Sequence, residues 1–198
     1  MQLRPWCSNV TDEDALTEML LSSPWHRSAL KAVAASGAPD AWIAAGAIRD
    51  LVWDERFGTG FDPAAVKDID VVFLDPDDVT PARDRDVETA LFRLAPDLPW
   101  EAKNQAAVHL WYAHRFGIDV EPLTSIEDAV GTFPETATAV AARLHRDRVE
   151  ILAPLGLTDL LAGIWRRNPR RVSVEEAVAR IDRKQPSSRW PRVKVIRP

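Results

Sequence analysis

The chain has 198 residues, of which 46% are hydrophobic and 28% are charged, and its net charge is −5. These values are typical of a globular protein with one sizeable core, and they exclude a disordered or fibrous chain. The longest apolar run, residues 41–48, is far shorter than the roughly 20 residues of a membrane-spanning helix. The N-terminal segment lacks the apolar stretch of a secretory signal. We therefore expect a cytoplasmic protein with no membrane partner.

Helical and strand-like patterns alternate along the chain, which predicts an α/β (α+β) protein. The first half is predicted to contain helices at 11–22, 25–35, 47–57 and within 77–95, and strands at 41–45 and 67–74. The second half is predicted to contain a strand at 100–102, helices at 104–116, 125–130, 156–165 and 174–183, and a hairpin of 136–144 with 148–152. An extended tail follows.

Basic residues are concentrated at the C-terminal end. Residues 163–198 carry 11 of the 25 Lys and Arg residues but 3 of the 30 Asp and Glu residues, so the rest of the chain is strongly acidic. We predict a domain over residues 1–162 and a basic helical and extended segment over 163–198 that packs on it. Docking on the acidic body is the favoured interpretation, and contact with phosphates of RNA or of a nucleotide is the alternative.

Two carboxylates share one face of the strand predicted at 67–74. Asp68 and Asp70 are residues i and i+2, which places their Cα atoms about 7 Å apart on the same side. Ile69, Val71 and Phe73 supply the apolar face that anchors the strand. Asp is depleted from strands, and its oxygen atoms suit Mg²⁺ bound together with substrate phosphates. The pair alone also fits a turn cap or an ion pair with a basic neighbour.

A glycine lies between the strand predicted at 41–45 and the helix that follows it. Gly46 leaves backbone N–H groups free at the helix start and lets a phosphate approach closely. Arg49, one turn into that helix, adds a cation. The alternative is a tight turn in which Arg49 pairs with Asp50, Asp54 or solvent.

The order of these motifs resembles a known superfamily. AAGAIRDLVWDERFG followed by KDIDVVFLD resembles nucleotidyltransferases of polymerase-β type, in which a glycine-containing strand-to-helix turn precedes an Asp-hydrophobic-Asp strand. The turn is also similar to that of tRNA CCA-adding enzymes and bacterial poly(A) polymerases. WEAKNQAAVHLWYAHRFG, FPETATAV and SRWPRVKV further resemble a bacterial nucleotidyltransferase-like family of unassigned substrate. The resemblance implies a polymerase-β-like fold, a small mixed sheet flanked by helices.

The resemblance also implies a reaction. A nucleoside monophosphate would pass from a nucleoside triphosphate to an acceptor hydroxyl, of RNA, of a protein or of a small molecule, with release of pyrophosphate. Mg²⁺ or Mn²⁺ would be held by Asp68, Asp70 and a third carboxylate, for which we choose Glu101 because it lies on the next predicted strand. Asp119 is the runner-up, whereas Glu150 lies in a predicted hairpin.

Nucleotide binding is assigned by the same resemblance to a second set of residues. The backbone amides of Gly46 and Ala47 would hold the β- and γ-phosphates, with Arg49 and Asn104 as further nucleotide-binding residues. The superfamily usually has Gly or Ser after the turn glycine, whereas this chain has Ala47. That departure favours one rival function, a nucleotide- or RNA-binding module without turnover. A partner-binding module of toxin-antitoxin type is a second rival.

Four of the eight tryptophans are candidates for stacking on a nucleobase. They are Trp53, Trp111, Trp165 and Trp190. Core burial is the expectation for most of them, because large aromatic side chains dominate the cores of small domains.

Overall fold

The structure, a computed structural model, describes residues 11–117 and 119–198. The N-terminal segment from which we inferred the localisation lies outside them. The described helices are α1 (Asp12–Ser22), α2 (Pro24–Ala35), α3 (Gly46–Phe57), α4 (Pro81–Leu94), α5 (Val108–Phe116), α6 (Ile126–Val130), α7 (Thr158–Ala162), α8 (Val174–Lys184) and α9 (Pro186–Arg189). The strands are β1 (Trp42–Ala44), β2 (Ile69–Phe73), β3 (Trp100–Asn104), β4 (Ala141–His145), β5 (Arg148–Leu152), β6 (Ile164–Arg166) and β7 (Lys194–Ile196). Within the described ranges, no helix is long and apolar enough to cross a membrane.

Five strands form a mixed sheet in the order β3-β2-β1-β4-β5. β2 and β3 are parallel, and the remaining neighbours are antiparallel. The fold is therefore the α/β (α+β) arrangement expected from the sequence, a small mixed sheet flanked by helices. The predicted hairpin is also present as β4 and β5.

The two faces of β2 belong to different cores. Ile69, Val71 and Phe73 are fully buried in the main core, against the helices of the N-terminal half. Burying such side chains contributes about 1.5–3 kcal/mol each, which anchors β2 firmly. Val72 faces a smaller core that α6 covers, and Asp70 lies on this same face because side chains alternate along a strand.

The N-terminal helices begin where the capping pattern predicts. Thr11 and Asp14 form a reciprocal capping box at the start of α1. Ser23 caps α2 by accepting a hydrogen bond from the backbone N–H of His26, with Pro24 at the first helical position. These caps satisfy backbone N–H groups that a helix leaves unpaired at its start.

The C-terminal segment, residues 163–198, packs along the cavity side of the body. β6 and β7 come from its two ends and pair in parallel. Five of its basic residues bind carboxylates or carbonyl oxygens of the first 162 residues: Arg166, Arg170, Arg180, Arg189 and Arg192. These contacts favour docking of the basic segment on the acidic body over full exposure of its charges.

The predicted helix at 156–165 is wrong at its end. α7 stops at Ala162, Gly163 has φ 67°, and the chain continues as β6. Trp165 is almost fully buried there, and its strand pairs with β7, about 30 residues further along the chain. The tail predicted as extended contains α9 as well as β7. Such long-range pairing overrides the local helical pattern and cannot be deduced from spacing.

Candidate active site

Asp70 and Glu101 lie side by side on neighbouring strands. The parallel pairing of β2 with β3 places Asp70 directly opposite Glu101, and neighbouring strands are about 4.8 Å apart. Ala44 of β1 pairs with Asp70 from the other side, so the three residues form a row across the sheet. Asp68 is exposed and immediately precedes β2. Asp68, Asp70 and Glu101 all line a cavity of about 730 Å³.

The pKa of Asp70 is raised by its burial and by two neighbouring carboxylates. Burial, and then the neighbouring charges of Asp68 and Glu101, raise the pKa of Asp70 from 3.8 to about 7. The backbone N–H of Gly46 and the charge of Arg49 act in the opposite direction. The negative charges of Asp68 and Glu101 therefore repel that of Asp70, and a cation placed among the three carboxylates would relieve that repulsion.

The donor set fits a hard cation that is shared with substrate. In residues 11–117 and 119–198, no three His, Cys, Asp or Glu side chains converge into a ready-made metal cage. Mg²⁺ does not need one, because it keeps several waters and is usually bound by one or two carboxylates together with substrate phosphates. Asp70 with Glu101 or Asp68 supplies that kind of partial ligand set.

The strand-to-helix turn is strained at Ala45, where φ is 55° and ψ is −117°. L-residues rarely adopt such a conformation, which costs on the order of 1–3 kcal/mol. Its backbone N–H donates to the carbonyl of Val140, 3.0 Å away, which holds the turn. The residue with a strained backbone in this turn is therefore Ala45, which immediately precedes Gly46.

Gly46 is not required by the packing of the protein itself. Its φ is not positive, and the nearest atom to an added Cβ would be Nη2 of Arg49 at 3.8 Å, an ordinary contact. The space above Gly46 belongs to the cavity. A glycine that the fold does not need, at a cavity wall, is what close approach of a ligand requires.

The predicted phosphate contact from Ala47 is wrong. Ala47 is fully buried and is not among the described residues that line the cavity. Its carbonyl accepts a hydrogen bond from Nε2–H of His26 at 3.1 Å, and Nδ1 of that ring contacts the Ser23 hydroxyl at 2.8 Å. Burial lowers the pKa of His26 to about 4, so the ring is neutral and fixes the first turn of α3.

Arg49 lines the cavity but is already paired. Its guanidinium donates to Oδ1 of Asp50 at 2.6 and 2.9 Å. It also lies 5.2–5.8 Å from the ring centres of three tryptophans: Trp53, Trp165 and Trp190. The sequence left pairing with Asp50 open as an alternative, and the structure has this pairing. Arg49 is a fixed cation whose charge Asp50 largely neutralises.

Arg189 extends this network from the C-terminal segment. It donates to Oδ2 of Asp50 and Oδ2 of Asp54, each at 2.8 Å. The indole N–H of Trp190 donates to the other oxygen of Asp54 at 2.7 Å. The wall of the cavity is thus built jointly by α3 and the C-terminal segment.

A buried ion pair that the sequence did not indicate also lines the cavity. Glu135 is 3% exposed, and Arg180 of α8 binds both its carboxylate oxygens at 2.7 and 3.1 Å. Burial lowers the pKa of Arg180, but the Glu135 hydrogen bond and charge, with smaller contributions from Glu176 and Asp70, outweigh it and raise the pKa overall. The only sequence signal was the FPETATAV segment, which carries Glu135.

The structure does not support the predicted role of Asn104 in nucleotide binding. Its side chain is 98% buried and fully bonded, accepting from the backbone N–H groups of Asp75 and Ala106 and donating to the carbonyls of Asp75 and Asp78. It is absent from the described lining of the cavity. Asn104 therefore ties the end of β3 to the loop after β2, and nothing is left for a ligand.

The two alternative third carboxylates lie elsewhere. Glu150 is on β5, separated from β2 by two strands, where it binds Arg143 and His145. The hydrogen bonds from His145 and then Arg143 lower its pKa. Asp119 is exposed in a loop and is not among the described residues of the cavity wall. Of the three candidates, the structure brings only Glu101 beside Asp70.

The tryptophans divide as expected, with one exception. Trp53, Trp165 and Trp190 are 0–3% exposed and pack against one another, with ring centres 5.1–6.2 Å apart for the contacting pairs. Trp111 on α5 is 38% exposed and lines the cavity. Trp165 and Trp190 also line the cavity but are almost fully buried, so Trp111 is the one exposed stacking candidate at the cavity.

Comparison with known proteins agrees with this geometry. The sequence pattern of a nucleotidyltransferase family matches residues 31–195. The chain is similar to a protein whose NMR structure reveals a CCA-adding enzyme head domain, at 28% identity and a TM-score of 0.77 over 96% of this chain and 98% of the other. No curated protein matches the chain.

A second solved structure shares the fold alone. It is the Thermotoga maritima CCA-adding enzyme complexed with tRNA, at 15% identity and a TM-score of 0.50. The similarity covers 95% of this chain but 40% of that enzyme. This chain thus corresponds to less than half of the enzyme's length.

Proposed function

We propose that this chain, which belongs to the nucleotidyltransferase family, is a metal-dependent enzyme. It would transfer a nucleoside monophosphate from a nucleoside triphosphate to an acceptor hydroxyl and release pyrophosphate. The observation that carries the proposal is the juxtaposition of Asp70 and Glu101 in a cavity whose wall includes the open Gly46 turn. Carboxylates and an accessible helix start are the two elements that metal-bound triphosphate needs.

Asp68 and Asp70 are the proposed metal ligands, with Glu101 completing the set. Mg²⁺ or Mn²⁺ bound there would neutralise phosphate charge and lower the pKa of the attacking hydroxyl. Asp70 is held for this task by the N–H of Gly46 and by its place in a firmly anchored strand. A ligand fixed in this way loses little conformational entropy when it binds a cation.

Glu101 is proposed to act on the acceptor. It is exposed on the cavity side, so a hydroxyl can reach its carboxylate. The acceptor oxygen would bond to the α-phosphorus as the bond to the bridging oxygen breaks, pyrophosphate would leave, and Glu101 would orient the hydroxyl or take its proton. Such help from a general base contributes typically 10²–10⁴-fold in rate.

The acceptor is the least determined part of the reaction. Similarity to a CCA-adding enzyme head domain makes the 3′ hydroxyl of an RNA the first candidate to test. A protein hydroxyl or a small molecule is the alternative. The fold by itself does not select among them, because the same fold serves many functions.

The test is transfer of label from α-labelled nucleoside triphosphates, with Mg²⁺ or Mn²⁺, to mixtures of RNA, proteins and metabolites. The proposal predicts labelled acceptor together with an equal amount of pyrophosphate. Asp70→Asn should abolish transfer, whereas Glu150→Gln, a carboxylate on the same sheet but far from the cavity, should retain it. Release of inorganic phosphate in place of pyrophosphate would contradict the proposed reaction.

A nucleotide- or RNA-binding module without turnover is the second candidate. Two observations favour it: within the described residues no three carboxylates converge, and the phosphate turn has a strained Ala45. Such a module would bind a nucleoside triphosphate at the same cavity but release no pyrophosphate with any acceptor. Measuring binding and pyrophosphate release on the same preparation separates the two functions.

A further inference from the structure

The cavity has basic side chains on its wall that no described carboxylate pairs with. Its described lining includes six basic side chains: Arg49, Lys67, Arg180, Arg183, Lys184 and Arg189. Three are paired with carboxylates, Arg49 with Asp50, Arg180 with Glu135 and Arg189 with Asp50 and Asp54. The other three, Lys67, Arg183 and Lys184, have no hydrogen bond or ion pair with any residue that the structure describes.

Two of the unpaired cations belong to one face of α8. Arg180, Arg183 and Lys184 are residues i, i+3 and i+4, which are neighbours on a helix surface. Arg180 is fixed by Glu135, and its charge interacts with that of Asp70. The last turn of α8 therefore lies along the same cavity as Asp70 and Glu101.

Arg183 and Lys184 are more exposed than the basic residues of the cavity wall that are paired with carboxylates. Arg183 and Lys184 are exposed, whereas Arg49 is buried and Arg180 and Arg189 are partly buried. Cations at the end of a helix are favourable for the helix dipole wherever they point. The dipole does not explain why both lie on the cavity wall without a carboxylate partner, although the three other arginines there have one.

We propose that Arg183 and Lys184 form a polyphosphate subsite that holds the β- and γ-phosphates of the nucleotide. The proposal rests on the proposed function, because it assumes that a nucleoside triphosphate enters this cavity. Phosphate oxygens are the natural partners of an Arg fork and a Lys ammonium, and charge-assisted bonds to them are about twice as strong as neutral ones. Lys67, on the cavity wall and next to Asp68 in the chain, would add a third charge.

A nucleotide is favoured over the phosphates of an acceptor by the position of Arg180. Arg180, Arg183 and Lys184 line the same cavity as Asp70, so this face of α8 shares the cavity with the proposed metal ligands. A divalent cation held by those carboxylates would be shared with the triphosphate, so the remaining phosphates of the same molecule would lie close by. The subsite would also help to keep pyrophosphate bound until transfer is complete.

The experiment is calorimetric titration of inorganic tripolyphosphate into the whole chain, with EDTA present so that metal does not contribute. The variant is Arg183→Gln with Lys184→Gln. The matched control is Arg85→Gln with Lys194→Gln, which removes the same two charge types from exposed residues away from the described cavity wall. We expect the dissociation constant to rise at least about tenfold in the variant and to stay unchanged in the control.

A second variant guards against a loss of folding. Arg183→Lys with Lys184→Arg keeps both charges and should bind tripolyphosphate within about threefold of the unmodified chain, since charge supplies most of the attraction. Equal affinity in the neutral variant and the control overturns the subsite. The subsite is also overturned if the unmodified chain fails to bind tripolyphosphate. It is overturned as well if RNA, titrated in place of tripolyphosphate, is the one ligand for which the neutral variant loses affinity.

The same titration separates the subsite from the transferase activity. If the neutral variant loses tripolyphosphate and yet no nucleoside triphosphate yields pyrophosphate with any acceptor, the subsite is supported and the enzymatic function fails. If pyrophosphate is released normally and the neutral variant binds tripolyphosphate unchanged, the function is supported and the subsite is overturned.

Discussion

Asp70 of β2 lies directly opposite Glu101 of β3 in a parallel pair, and both side chains face the same cavity. The two residues are 31 positions apart in the chain, and the intervening α4 returns the chain so that β3 runs parallel to β2. Burial raises the pKa of Asp70, and the charges of Asp68 and Glu101 add to this effect.

Replacement of Asp70 is expected to change how stability depends on pH. The folded-state pKa of Asp70, about 7, lies above its ordinary value of 3.8, so the protonated carboxyl stabilises the fold below about pH 4. That contribution is lost as the pH rises through 7. Asp70→Asn cannot ionise and should therefore gain up to about 4 kcal/mol in the free energy of unfolding at pH 8.

Urea unfolding in EDTA at pH 4.5 and pH 8 measures this difference. The advantage of Asp70→Asn over the unmodified chain should be much smaller at the lower pH. Asp119→Asn, at an exposed loop position, serves as the control and should show no such pH dependence. An advantage of equal size at both pH values would show that burial and repulsion do not act on Asp70.

Gly46→Ala is expected to separate folding from ligand binding. An added Cβ meets no atom closer than 3.8 Å, so the free energy of unfolding should change by less than about 1 kcal/mol. Nucleotide affinity should fall at least about tenfold, because the methyl group occupies the space that a phosphate needs. Calorimetric titration with ATP and urea unfolding measure the two quantities.

The neighbouring position provides the opposite control. Ala45→Gly relieves a φ of 55° and should raise the free energy of unfolding by about 1 kcal/mol while leaving affinity intact. If Gly46→Ala binds nucleotide normally, the turn is not a phosphate site.

Glu101→Gln is expected to impair transfer more than binding. The amide keeps the size of the side chain but cannot accept a proton, so the transfer rate should fall by about 10² or more. Triphosphate affinity should change little, because Asp68 and Asp70 remain. Asp119→Asn is the internal control and should retain full turnover. If instead Asp119→Asn is inactive and Glu101→Gln is fully active, the third carboxylate lies in the loop at 119.

Trp111→Ala is expected to weaken the binding of nucleosides but not of tripolyphosphate. Stacking of a base on an aromatic ring is worth about 1–3 kcal/mol, so ATP affinity should fall about tenfold. Leu110→Ala is the matched control, since Leu110 is exposed on the same helix but is not among the described cavity residues. Equal loss of ATP and tripolyphosphate affinity in Trp111→Ala would assign the effect to the shape of the cavity.

Local patterns predicted the elements that carry the carboxylates. The apolar spacing of Ile48, Leu51 and Val52 predicted α3, and all three side chains are buried. The alternation of apolar and acidic residues predicted β2 and the face on which Asp70 lies. These elements are determined by periodicity, which the sequence displays directly.

Contacts between distant segments were not predictable in the same way. The Arg180 pair with Glu135 spans 45 positions, and the Arg189 contact with Asp54 spans 135. Asn104 looked like a site residue because it follows Glu101, yet its burial depends on the loop after β2. Ala45 gave no sequence signal of strain, because its φ follows from the way β1 enters α3.

Metal-dependent nucleotide affinity tests the proposed site most directly. Titration of a non-hydrolysable triphosphate with and without Mn²⁺ should show that Mn²⁺ tightens binding to the unmodified chain and to Glu150→Gln. Asp70→Asn should bind the nucleotide equally with and without Mn²⁺, because the central ligand of the metal is gone. If Mn²⁺ tightens nucleotide binding to Asp70→Asn as much as to the unmodified chain, then Asp70 of β2 and Glu101 of β3 do not form the metal site.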